Sequence, residues 1–271
     1  MAAGALSGAR AIARLAGLLF LMTASANAAA PEIVNELAPG GRLRAAINYG
    51  NPVLAQRDAA TGALGGVTVD LARELGRRLK VAVDLVPFDT AGKVADSAKA
   101  NVWDVAFLAV DPVRANEIAF TAPYVLIEGA YMVPAGSALR RVDEVDRDGV
   151  RIAVGQKSAY DLYLTRTIKR AALVRAPTSE AAIELFRRDK LEVAAGVRQP
   201  LEQFAARNPD VRMIEGRFMV IEQAMGTPKG RAAGLAYLRG FVEEMKASGF
   251  VADALRRSNQ PDATVAPAAP P

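Results

Sequence analysis

The order of apolar runs constrains this chain more than any single residue does. Arg42–Asn48 alternates polar and apolar like a strand and ends in the turn-rich Tyr49-Gly50-Asn51-Pro52. Asp58–Gly62 reads as a hairpin tip, and Gly66–Leu79 places Leu71, Leu75 and Leu79 four residues apart, as an amphipathic helix does. Val81–Val86 reads as a buried strand, Lys93–Lys99 as a short helix and Trp103–Val110 as a third strand. After Gly149 the succession begins again: strand Val150–Val154, helix Ala159–Arg170, strand Leu173–Arg175, helix Ser179–Asp189, strand Leu191–Val197. Strands alternating with helices predict parallel sheets covered by helices. Two rounds of the pattern, without a close repeat in sequence, predict two α/β units of similar length. Phe218–Met225 adds a strand, and Gly230–Ser248 a helix with Leu235, Leu238, Phe241, Val242 and Met245 on one face.

The flanks differ from this body. Arg10 and Arg14 precede the apolar run Leu15–Met22 and the motif Ala26-Asn27-Ala28, with no acid among the first thirty residues. A basic region, a short apolar core and an A-x-A site predict a signal peptide over residues 1–28. The apolar core is far shorter than the ~20 residues a membrane span needs. An exported protein is therefore expected. The tail, residues 259–271, is rich in Pro and Ala and is expected to be disordered.

Composition excludes whole classes of chemistry. The 271 residues, enough for two lobes, include no Cys and no His. Disulfides, thiolate metal sites and a lipid-bearing cysteine are thereby excluded. So are Ser-His-Asp catalysis and the usual zinc sites. Without a lipid tether, a periplasm is the expected location. The net charge of +5 falls to +3 without Arg10 and Arg14, too weak and too dispersed for nucleic acid. No cofactor is expected, and a monomer is.

In order, the motifs are Leu43–Ile47, Gly66-Val67-Thr68-Val69-Asp70-Leu71-Ala72, Asp104-Val105-Ala106, Asp111-Pro112-Val113-Arg114, Phe120-Thr121-Ala122-Pro123-Tyr124 and Gly149–Val154. Together they resemble the family 3 extracellular solute-binding proteins, the periplasmic receptors of polar amino-acid ABC importers, over about Gly41 to Ser258. The resemblance implies the type II periplasmic-binding-protein fold, α/β, with two lobes joined by two crossover hinge strands. It implies a first lobe from residues 42–128 and 222–258, and a second lobe from 129–221. It also implies an ABC permease in the inner membrane as partner.

Arg114 is the leading site residue. The family's arginine before F-S-x-P-Y holds the ligand's α-carboxylate, and a guanidinium offers two parallel donors for two oxygens. The alternative is a surface pair with Asp111 or Glu117, worth only ~0.5 kcal/mol. Gly155-Gln156-Lys157-Ser158 follows a strand and opens a helix, so its amides and the Ser158 hydroxyl could face an anion. Ser158 could equally be a plain N-cap, and Lys157 a solvated charge. At the end of the first strand, where open α/β sheets bind ligands, Tyr49 could wall a pocket and Asn51 hydrogen-bond. Both could also be ordinary turn residues.

Departures from the family pattern narrow the ligand. The family's acid for the ligand's α-ammonium falls at Val197, next to Arg198. DVAFLAVDPVR is about two residues shorter than the family norm. The aromatic that stacks on the ligand falls near Ala91, with Phe88 as the substitute. The expected ligand is thus a small carboxylate lacking a free α-ammonium, such as an organic acid or modified amino acid, with Arg198 facing any second anionic group. The chain is expected to be a receptor and not an enzyme. The competing readings are a cyclohexadienyl dehydratase-like lyase, with Glu202 or Glu222 as acid, and a periplasmic sensor.

Overall fold

The computed structural model describes Met1 and residues 29–270. The expected signal segment, beyond Met1, lies outside the described residues. Helix α1 (Pro31–Leu37) leads into β1 (Arg42–Asn48), the hairpin β2–β3 (Gln56–Arg57, Leu64–Gly65), α2 (Val67–Leu79), β4 (Ala82–Phe88), α3 (Ala91–Asp96) and β5 (Val105–Ala109). The 17-residue β6 (Ile118–Pro134) carries the chain into the second lobe. That lobe contains β7 (Arg151–Gly155), α4 (Ala159–Thr167), β8 (Ala172–Ala176), α5 (Ser179–Arg188), β9 (Val193–Val197), α6 (Arg198–Arg207) and β10 (Val211–Met213). The return strand β11 (Met219–Pro228) is followed by α7 (Ala232–Ala247), α8 (Phe250–Arg257) and β12 (Thr264–Val265).

Ten strands form one sheet, ordered β4-β1-β5-β11-β6-β9-β7-β8, with β10 and β12 also on β6. The outer thirds, β4-β1-β5 and β9-β7-β8, are parallel. Between them β6 and β11 pair antiparallel, from Ile118 opposite Pro228 to Gly129 opposite Met219. The expected pair of crossover strands is present, and it makes the two lobes parts of one sheet.

The central strand of each parallel third, β1 and β7, is buried on both faces, as helix-covered parallel sheets require. On β1, Leu43 and Ile47 face one cluster with α2 and α7, while Ala46 faces another with Trp103, Leu108 and Ile118. On β7, Ile152 and Val154 pack with Tyr160 and Leu164, and Ala153 packs with Phe186 and Leu201. This is the two-residue alternation of a strand read on both faces.

Residues after β11 join the first lobe. Leu238, Phe241, Val242, Met245, Val251 and Leu255 are buried in one cluster with Leu43, Ile47 and Phe107. Asp104, fully buried, reinforces this attachment: the Arg44 guanidinium donates two bonds to it (2.9 and 2.8 Å), the Arg44 amide another (3.1 Å), and Arg231, just before α7, a fourth (2.9 Å). The expected final helix is α7, and a further helix, α8, follows it beyond the expected end. Gly249 adopts a left-handed φ of 79° between α7 and α8, a conformation that costs glycine little.

The tail differs from its expectation. It is an ordered strap through residue 270. Thr264 and Val265 pair with Leu126 and Val125 of β6, and Ala263 and Ala266 are buried. Lys246 Nζ donates to the Pro267 carbonyl (2.8 Å), and the Ala269 amide donates to Glu243 (3.1 Å). A Pro/Ala composition cannot build its own core, but it can dock on a strand another segment supplies.

Because α7 completes the first lobe's core, Leu238→Ala is expected to lower unfolding free energy by about 2–5 kcal/mol in urea denaturation. A change within the ~0.5 kcal/mol of a surface substitution would show that α7 does not belong to that core.

Candidate functional site

The carboxyl ends of six parallel strands converge on one cleft between the lobes, the position where open α/β sheets bind ligands. Asn48 and Asn51 come from the end of β1, Asp89 to Ala91 from β4, and Ala109 from β5. From the second lobe come Gly155, Gln156 and Ser158 after β7, Thr178 and Ser179 after β8, and Val197 at the end of β9. Gly50 permits a close approach here. A Cβ on it would fall 1.9 Å from the Asp89 carbonyl oxygen, so the β1 and β4 ends could not lie together with a larger residue.

Arg114 lies at the bottom of this cleft, 4% exposed. An Asx turn places it: Asp111 Oδ1 accepts from the Val113 amide (2.8 Å), and a short 3-10 turn, Arg114–Asn116, follows. Both acids the sequence offers as partners are engaged elsewhere. Asp111 pairs with Arg166 of α4 at 2.8 Å and Glu117 with Lys99 at 2.8 Å. The Arg114 guanidinium instead donates to two carbonyls, Nη1 to Ala109 and Nη2 to Lys157, each at 3.0 Å, and its Nε is buried without a partner. Burial pushes its pKa down to about 10, against the smaller opposing pull of the Asp111 charge. A buried cation held only by neutral groups carries an uncompensated desolvation cost, and an anion in the cleft would offset it.

The second-lobe segment behaves differently from its expectation. Ser158 lines the cleft and is also the N-cap of α4, its Oγ accepting from the Asp161 amide (3.0 Å), so both readings hold at once. The adjoining amides are not free for an anion: Gln156 donates to Ala176, Lys157 to the Asp161 carboxylate and Ser158 to Gly155. Lys157 turns its ammonium away, to Asp96 of the first lobe (2.7 Å). What it offers the cleft region is its carbonyl, aimed at Arg114 by a left-handed φ of 56°. Lys157–Asp96, Arg166–Asp111 and Arg114 to the Lys157 carbonyl thus hold the two lobes together across the cleft.

Asn51 lines the cleft, and Tyr49 lines a second cavity that opens off it. Two expected site residues do not reach it. Phe88 packs beside Val94 and Trp103, because the end of β4 turns it under α3. Arg198 is committed at the hinge: Nε donates to Glu128 of β6 (2.6 Å), Nη2 to the Gly216 carbonyl (2.6 Å) and Nη1 to Glu202 (3.3 Å). Its donors are spent on these protein groups, and it does not line the cleft. The strand-end acid is missing at Val197 as the sequence implied, yet the cleft is not free of acids. Asp89 lines it, with Oδ2 on Lys93 (2.6 Å) and Oδ1 buried without a donor. Asp89, Tyr160, Thr178, Ser179 and Gln223 were all missed by the sequence reading. Only the position of Asp89 just after a strand marked it.

Residues 43–258 match the bacterial extracellular solute-binding proteins, family 3, and the chain belongs to that family. No curated protein sequence is significantly similar to it. Among solved structures, the solute receptor for L-cysteine of Neisseria gonorrhoeae superposes with a TM-score of 0.73 at 18% identity, over 86% of this chain and 94% of that one. The amino acid ABC transporter substrate-binding protein AbpA of Streptococcus pneumoniae, bound to L-arginine, gives 0.71 at 16% identity, over 82% and 96%. The ancestral amino-acid-binding protein AncCDT-1, a precursor of cyclohexadienyl dehydratase, gives 0.70 at 18%, over 83% and 98%. These likenesses show the type II periplasmic-binding-protein fold.

The hinge pairing has a pH signature. Arg217 and Arg198 hold the Glu128 carboxyl below the usual carboxylate range. Its stabilisation is therefore fully present above the unfolded pKa of ~4.3 and is lost as pH falls through the lower folded value. Glu128→Gln should melt below the parent protein at pH 7, with the gap narrowing below about pH 4. A gap that stays constant down to pH 3 would show the pair contributes nothing through its charge.

Proposed function

We propose that this chain is an exported solute receptor in which Arg114 takes the carboxylate of a small ligand as the lobes close over it. The buried guanidinium without an anionic partner carries this reading. It lines the cleft where the two lobes meet, its Nε is buried without a partner, and Ser158 lines the same cleft from the second lobe. Contacts from both lobes to one carboxylate make the closed state depend on ligand, since a ligand shifts a hinge only by its preference for one state. Nothing is made or broken. Delivery to an ABC import permease of the inner membrane follows from the family, and residues 1–28 supply the export signal to a periplasm. The receptor acts as a monomer.

The competing reading is a lyase on the same scaffold, since AncCDT-1, itself an amino-acid-binding protein, is a precursor of cyclohexadienyl dehydratase. Neither acid the sequence offered for that role lines the cleft: Glu202 pairs with Arg198, and Glu222 is exposed on β11. The acid at the cleft is Asp89, already paired with Lys93. Release of carbon dioxide and water from prephenate or arogenate by the purified protein would replace the receptor reading with the enzyme one.

A thermal-shift screen against a panel of carboxylates finds the ligand, because a ligand of the native state raises the melting temperature by mass action. Arg114→Met is then expected to weaken that ligand by about 2–5 kcal/mol, roughly thirtyfold or more, in titration calorimetry. Undiminished affinity in Arg114→Met would sink the assignment.

A further inference from the structure

The space beside Arg114 is small. Its free volume is about 50 Å³, and one water needs ~10–15 Å³. A carboxylate fits there; a whole metabolite does not. Next to it lies a second cavity of about 460 Å³, within the ~300–1,000 Å³ range of small-molecule sites. The two are continuous: Asn51, Asp89, Tyr160, Thr178, Ser179 and Val197 line both.

The larger cavity has its own chemistry. Its wall is formed by Tyr49 and Pro52 from the first lobe and by Ile183, Pro200, Leu201 and Phe204 from α5 and α6. Charged side chains there are few, with Glu180 and Arg207 among them. At the neck between the cavities, Asp89 Oδ1 and Asn51 Oδ1 are buried acceptors without a donor, and beyond them Arg114 Nε is a buried donor without an acceptor. Buried polar atoms almost always find partners. An anion at one end, an N–H group at the neck and an apolar body beyond would satisfy all of these groups together.

We infer that the second cavity is the ligand's tail site, so that the receptor takes carboxylates bearing an N–H donor next to the head and an apolar tail of several carbons. The inference rests on the carboxylate reading of Arg114. It assigns the N–H contact to Asp89 and Asn51 of the first lobe, in place of the acid missing at Val197. It also assigns the tail to a wall that α5 and α6 supply.

Titration calorimetry on the full mature chain, with four probes, tests this. Glycine has head and N–H, L-phenylalanine adds the tail, 3-phenylpropanoate keeps the tail without the N–H, and acetate has the head alone. L-Phenylalanine is expected to bind at least about tenfold tighter than glycine, the discrimination that even small apolar differences reach in a closed pocket. Ile183→Trp, which fills the cavity, should abolish that advantage and leave glycine unchanged. Gln203→Trp, at an exposed position on the rim, should do so in part and guards against misfolding of the first variant. Asp89→Asn should weaken L-phenylalanine and spare 3-phenylpropanoate. If L-phenylalanine has no advantage, or the filling variants affect glycine equally, the tail site is overturned. Equal losses of both tailed probes in Asp89→Asn overturn the neck. Should other carboxylates bind through Arg114 while no tailed probe does, the tail site falls and the Arg114 reading stands. Should none bind, the Arg114 reading itself falls.

Discussion

The antiparallel pair of β6 and β11 is the constraint on which the rest of the molecule depends. Each strand belongs to both lobes, so every hydrogen bond between them also ties one lobe to the other. The pair aligns the two parallel sheets so that the carboxyl ends of both face a single cleft. It also returns the chain to the first lobe, where α7 and α8 fill a core that residues 42–127 leave incomplete. Hinge residues such as Glu128 and Arg217 lie on or beside these strands. Their ion pairs therefore bear on how the lobes are set rather than on the ligand.

At the cleft the balance of energies runs against stability and towards binding. Asp104 is a buried charge fully compensated by two arginines, and it fastens the late helices to the sheet. Arg114 is the converse, a buried charge whose nearest acid has been taken by Arg166 from the opposite lobe. The same sheet thus carries one satisfied and one unsatisfied buried ion at opposite ends of its β5 strand. Only the second has anything to gain from a ligand.

Much of the fold was legible because periodicity is local. The four-residue spacing of Leu71, Leu75 and Leu79 and the apolar run from Val105 to Ala109 specify a helix and a strand whatever surrounds them. Helices α6 and α8 escaped because each begins at a strand end or a glycine, where no clear start signal separates it from its neighbour. The tail escaped for a different reason. Its order comes from β6, which composition does not reveal.

The sequence by itself determined the class of chain: its alternation of strands and helices, its lack of His and Cys, and Arg114 in register with FTAPY. Side-chain partnership belonged to the tertiary structure. Arg198 and Phe88 have suitable chemistry for a ligand, but the hinge takes one and the packing under α3 takes the other. Asp89 carries no mark in the sequence beyond its place just after a strand, and it is the fold that brings it beside Asn51 at the neck of two joined cavities. The physical reason is distance. A charge's role is set by which groups reach it within about 3 Å, and in this chain those groups come from segments that lie tens of residues apart.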